Sequence, residues 1–124
     1  MGTSIREFRI DPALGEIFVE LRAGRACPIE AVLSTFERQL VVNDEKADPA
    51  IVRFRLPAVE GRYVLFGIVK PGAKSMFAPQ YERRVLQGHT LLRGSAPNPQ
   101  LLSTSRVGEN EWVGSPEILR LRLV

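Results

Sequence analysis

Histidine, cysteine and tryptophan each occur once in this chain of 124 residues, as His89, Cys27 and Trp112. One histidine and one cysteine cannot build a two-histidine centre or a Cys/His zinc cluster within the chain, so no metal is expected. A single cysteine forms no internal disulfide, which fits a reducing compartment. Long apolar runs are missing too. None reaches the ~20 residues of a membrane-spanning helix, and Arg6, Glu7 and Arg9 are not followed by a signal-type apolar region. The expectation is a chain without signal peptide or membrane segment, cytoplasmic or assembled into a particle. Lysine is scarce: of 17 lysines and arginines only Lys46, Lys70 and Lys74 are lysine, which leaves 14 arginines. Arginine carries a planar fork suited to carboxylates, phosphates and interface pairs, although base composition of a genome produces the same bias.

What remains is ordinary globular material. Hydrophobic residues make up 44% and charged residues 25%, enough to bury a core without staples, and one domain over residues 1–124 is expected. The dominant pattern has a period of two. In residues 15–22, Ile17, Val19 and Leu21 alternate with Glu16, Phe18, Glu20 and Arg22. In 51–57, Val52, Phe54 and Leu56 alternate with Arg53 and Arg55, and in 118–124 Leu119, Leu121 and Leu123 alternate with Arg120 and Arg122. Opposite charges facing across strands stabilise a sheet, so the acidic strand belongs beside the arginine ones. Residues 62–70, with Tyr63, Val64, Leu65, Phe66, Ile68 and Val69, form a nearly continuous apolar run, expected for a central strand covered on both faces. Shorter runs at 4–10, 90–93, 100–105 and 111–113 are separated by turn residues.

These signals predict an all-β or β-rich fold, an antiparallel β-sandwich or small barrel, with helix a minor component. One short helix is expected around 28–40, from Pro28 at its start and a stripe of Ile29, Val32, Leu33, Phe36 and Leu40. Residues 79–87, with a Tyr81–Val85 pair ahead of Gly88, read as a second short helix or a loop. The segment 56–63, ending in Tyr63, resembles the strand-to-strand corner of fibronectin- and immunoglobulin-type sandwiches, which implies a tyrosine hydroxyl bonded back to nearby backbone.

Chemistry-bearing patterns are sparse. Residues 67–75 resemble a phosphate-binding P-loop, but Ala73 separates Gly72 from Lys74 and Pro71 has no amide to offer, so a turn ending a strand is the better reading. No Gly-x-Ser-x-Gly elbow accompanies His89, and Cys27 with His89 has no signature spacing. Glu16 and Glu20 share one strand face rather than opposing each other across a cleft. Arg83-Arg84, the arginine strands and aromatics such as Phe8, Phe18, Phe77, Tyr81 and Trp112 permit a nucleic-acid surface, though eleven glutamates are interspersed.

The function expected is therefore non-catalytic: a protein–protein interaction or structural assembly module, such as a subunit of a phage virion or an injection apparatus. A protein partner or self-association is expected, with no cofactor, metal or membrane. Interface candidates are Arg53, Arg55, Arg120 and Arg122 on the strands, Met76 and Phe77 in a loop, and Trp112. A nucleic-acid or polyanion-binding barrel is the alternative, and a small hydrolase or thiol enzyme a distant third.

Overall fold

The computed structural model describes residues 4–24, 27–41, 48–71 and 78–124. The strands are β1 (Ser4–Ile10), β2 (Ile17–Ala23), β3 (Ile29–Thr35), β4 (Leu40–Val41), β5 (Ile51–Leu56) and β6 (Gly61–Val69), then β7 (Gln80–Gln87), β8 (Thr90–Leu91), β9 (Gln100–Gly108), β10 (Glu111–Gly114) and β11 (Glu117–Leu123). One 3-10 turn, Pro12–Leu14, is the only helical element among the described residues. The fold is all-β, a large, mostly antiparallel sheet that does not close into a barrel.

The sheet bends into two halves. In the first, β2 lies between β5 and β7. In the second, β6 pairs with β3 on one side and with β10 and β11 in succession on the other, and β1 runs parallel to β11 at the edge. Strand β9 joins them: Gln100–Ser103 pair with β7, and Thr104 onward with β10. Backbone bonds tack the edges together, from Ile29 N–H to Pro49 O at 2.9 Å and from Arg9 N–H to Arg93 O at 2.8 Å.

Alternation puts one side chain in two into a shared interior. Val19, Leu21, Val52, Phe54 and Val85 come from the first half and Phe8, Ile10, Leu33, Leu65 and Leu119 from the second, all in one buried cluster. Each such side chain contributes roughly 1.5–3 kcal/mol by leaving water. The strands anticipated at 15–22, 51–57, 62–70 and 118–124 are β2, β5, β6 and β11.

Two expectations are corrected. Residues 28–40 hold no helix. They form β3, a turn with Arg38 at φ 64°, and β4. The free edge of β6 needs hydrogen-bond partners, which β3 supplies, and β-branched Ile29, Val32 and Thr35 suit a strand better than a helix. Ile29 and Leu33, four apart, face inward in either conformation, so the stripe did not discriminate. Of residues 79–87, Gln80–Gln87 form β7, between β2 and β9, and Tyr81, Val85 and the intervening Arg83 all point inward. Gly88, rather than ending a helix, takes φ 61° at the first central position of the two-residue β7–β8 turn, a conformation glycine reaches without strain. The 56–63 segment does turn between the two halves, but among the described residues the Tyr63 hydroxyl makes no hydrogen bond to backbone. Its ring lies instead against Gly61.

Candidate interaction surface

Packing two half-sheets face to face leaves two outer faces, and they differ in chemistry. On the outer face of β5, β2 and β7, register sets Glu20 between Arg53 and Arg84, and Arg22 beside Glu82. Arg55 Nε lies 3.7 Å from Glu16, Arg22 bonds Glu20 at 3.2 Å, and Arg84 pairs with Glu82. The Phe18 ring has the Arg53 guanidinium 4.0 Å from its centre. This face balances its own charge, as a solvated antiparallel sheet does.

The other face carries an apolar band, flanked on β3 by Ser34 and by Glu30, which pairs with Lys70 at 3.2 Å. Ile5, Ile118 and Val64 stand in one row across β1, β11 and β6, Val32 and Phe66 form the next across β3 and β6, and Ile68 with Val113 follows. Ile5 is 60% and Val32 48% exposed, and Val64, Phe66, Ile68, Val113 and Ile118 are half-buried. The apolar run of β6 was expected to be covered on both faces. Its inner residues are covered by the first half, whereas its outer ones, Val64, Phe66 and Ile68, are half-buried.

One end of this apolar field is basic. Two residues along from Val64 and Ile118, Arg62 and Arg120 face each other in register, and Arg122 follows on β11. With Phe36, Glu37 and Glu60 they line an open groove of about 680 Å³. The Arg62 guanidinium rests 4.5 Å above the Phe36 ring, Arg122 approaches Glu7 at 3.7 Å, and Glu60 accepts the Leu123 N–H at 3.2 Å. Tyr63 sits at the base, its hydroxyl pKa pushed up by burial.

The sequence-level interface candidates thus separate. Arg53 and Arg55 lie on the self-balanced face, Arg120 and Arg122 on the apolar one. Trp112 is turned inward and 8% exposed, with Arg106 5.8 Å from its ring centre and its buried Nε1–H without an acceptor among the described residues. Met76 and Phe77, and the turn at 72–75, lie outside the described residues. Arg62 and Phe36 were missed, because nothing in a linear pattern shows which arginines become cross-strand neighbours.

Sequence reasoning also missed a buried polar cluster between the halves. Arg83 on β7 is fully buried and donates to Glu117 on β11 at 3.0 Å through Nε and 3.3 Å through Nη2, to Gln100 at 2.9 Å, and to the Pro97 carbonyl at 3.3 Å. Glu117 also accepts from Arg6 at 3.3 Å, and Phe8 lies 5.0 Å from the Arg83 guanidinium. Tyr81 alongside has its hydroxyl pKa pushed up to about 12, by burial first and the Glu117 charge second. Every partner here is structural, and Arg83 is not available to a nucleic acid.

The other chemical candidates are dispersed. Cys27 packs partly buried against the core ahead of β3, and His89 is exposed at the β7–β8 turn. Among the described residues no three of His, Cys, Asp or Glu gather as a metal set, and no helix is long and apolar enough to cross a membrane. Comparison with protein-family models, curated proteins and solved structures found no match.

Proposed function

We propose that this chain is a non-catalytic protein-interaction module of a larger assembly, docking through the outer face of β3, β6, β11 and β1. The observation that carries this reading is the contrast between the two outer faces. An antiparallel sheet that ends at solvent places polar residues outward. The face of β5, β2 and β7 does so with paired charges, while the opposite face presents Ile5, Val32, Val64, Phe66, Ile68, Val113 and Ile118. An apolar field with a charged rim is what protein interfaces are built from. The polyanion alternative is weaker, because the arginines it relied on divide between opposite faces, and most on the first face stand beside carboxylates.

The test is light scattering after size exclusion, with binding of an environment-sensitive apolar dye, on the wild type and on Val64→Lys and Phe66→Lys. A discrete oligomer that both variants dissolve, or a monomer whose dye binding both variants abolish at unchanged fold, supports the reading. A wild-type monomer that binds no dye overturns it.

A further inference from the structure

Arg62 and Arg120 stand directly opposite each other on β6 and β11, and like charges so placed destabilise a sheet. Glu7 is the register neighbour of Arg120 on its other side. Its carboxylate, however, turns to Arg9 at 3.5 Å and Arg122 at 3.7 Å. Arg62 is held over the Phe36 ring, which orients its guanidinium without cancelling the charge. Among the described residues neither Arg62 nor Arg120 has an ion-pair partner. On the opposite face arginines and carboxylates alternate in register, with Glu20 between Arg53 and Arg84, and Glu20 and Glu82 pair with Arg22 and Arg84. Two unanswered guanidinium forks on a groove of about 680 Å³ call for an anion between them.

The surroundings select which anion. Glu37 and Glu60 stand on the same groove, and Glu60 is held there by the Leu123 N–H. A nucleic acid brings closely spaced phosphates and would lay some of them against these carboxylates, whereas a single carboxylate brings one charge to the arginines. In the other direction Val64 and Ile118 lie two residues along the same strands, the spacing at which side chains of an extended segment share a face. The chain's net charge of +3 also favours an acidic partner over a second copy. We propose that the groove binds the carboxylate of an acidic side chain in an extended partner segment whose neighbouring apolar side chains lie on Val64 and Ile118. This rests on the reading of the adjoining face as a docking surface.

The experiment is fluorescence anisotropy at fixed ionic strength. The probes are a labelled peptide alternating glutamate and valine, the same peptide with glutamine for glutamate, and a single-stranded oligothymidylate. The acidic peptide is expected to bind, and Arg120→Gln to weaken it about tenfold or more, as loss of a charge-assisted contact does. Arg120→Lys restores only part, because an ammonium lacks the fork. The glutamine peptide should bind the wild type about as weakly as the acidic peptide binds Arg120→Gln. Independently of any peptide, citrate should raise the wild-type Tm more than that of Arg120→Gln. If Val64→Lys abolishes peptide binding while Arg120→Gln leaves it unchanged, the carboxylate site falls and the docking face stands. If Arg120→Gln abolishes binding and Val64→Lys does not, the arginine site stands and the docking face falls. Tighter binding of oligothymidylate than of the peptide, lost in Arg120→Gln, overturns the proposal in favour of a nucleic-acid site. No binding of any probe with no citrate effect on Tm overturns it outright.

Discussion

A guanidinium survives in a protein interior only where both its charge and its hydrogens are answered, and Arg83 meets both conditions through Glu117, Gln100 and the Pro97 carbonyl. Removing one partner leaves the other buried and uncompensated. Arg83→Met is therefore expected to lose about 3–5 kcal/mol in urea unfolding, and Arg83→Met with Glu117→Leu to recover most of that. Tyr81 ties the same cluster to alkaline pH. Its folded pKa of about 12 lies above the ordinary tyrosine value of 10.0. The folded state thus keeps a proton that the unfolded chain has released, and stability present below pH ~10 is lost as pH rises toward ~12, by at most ~1.4 kcal/mol per unit. Tyr81→Phe should flatten that part of the stability–pH curve. Gly114 leaves room for the ring, since a Cβ there would lie 2.1 Å from the Tyr81 hydroxyl oxygen. Gly114→Ala is expected to cost roughly 1–3 kcal/mol in thermal unfolding, through overpacking.

At the scale of elements, β7 shows how side chains stand in for missing strand partners. Past the end of its pairing with β9, Val85 N–H donates to the Asn98 side chain at 3.0 Å, and Asn98 donates back to the Val85 carbonyl at 2.7 Å and to Leu92 at 2.8 Å. Gln87 clamps the 3-10 turn in the same way, donating to the Asp11 and Gly15 carbonyls at 2.6 Å and 2.8 Å. Asn98→Ala leaves the Val85 N–H without its acceptor and is expected to cost about 1–3 kcal/mol, with hydrogen exchange at the Val85 amide accelerated beyond that of β2. The strands with clean alternation, β2, β5 and β11, were legible because charged residues marked their outer positions. β3 and β7 were not: an i, i+4 apolar pair fits a helix face and a strand face alike. In β7 the deciding inward residue is Arg83, which looks solvent-facing until Glu117 is placed beside it.

For the molecule as a whole, the shared interior and the outer face of β6 are not equivalent. Phe54 lies in the shared interior at 1% exposure, while Phe66 stands half-buried on the outer face. Phe54→Ala is expected to lose about 3–5 kcal/mol and Phe66→Ala about 1 kcal/mol or less in the same denaturation assay. Equal losses would mean that the outer face is already covered within the folded chain. Charge follows the same division: the arginines of β5, β2 and β7 are interleaved with glutamates, whereas Arg62 and Arg120 of the groove face each other.

Alternation and composition by themselves determined that the chain is β-rich and which positions of β2, β5 and β11 point inward, because a period of two is local to one strand and burial follows it. The apolar character of both faces of β6 was also legible, in its continuous run. Which arginines stand apart was not. Cross-strand register is set by turns and pairings tens of residues away, and it put Arg62 opposite Arg120 and Glu20 between Arg53 and Arg84, while the packing of the two halves set Glu117 beside a buried Arg83. A charge belongs to its residue, but the partner that answers it, or fails to, belongs to the tertiary structure.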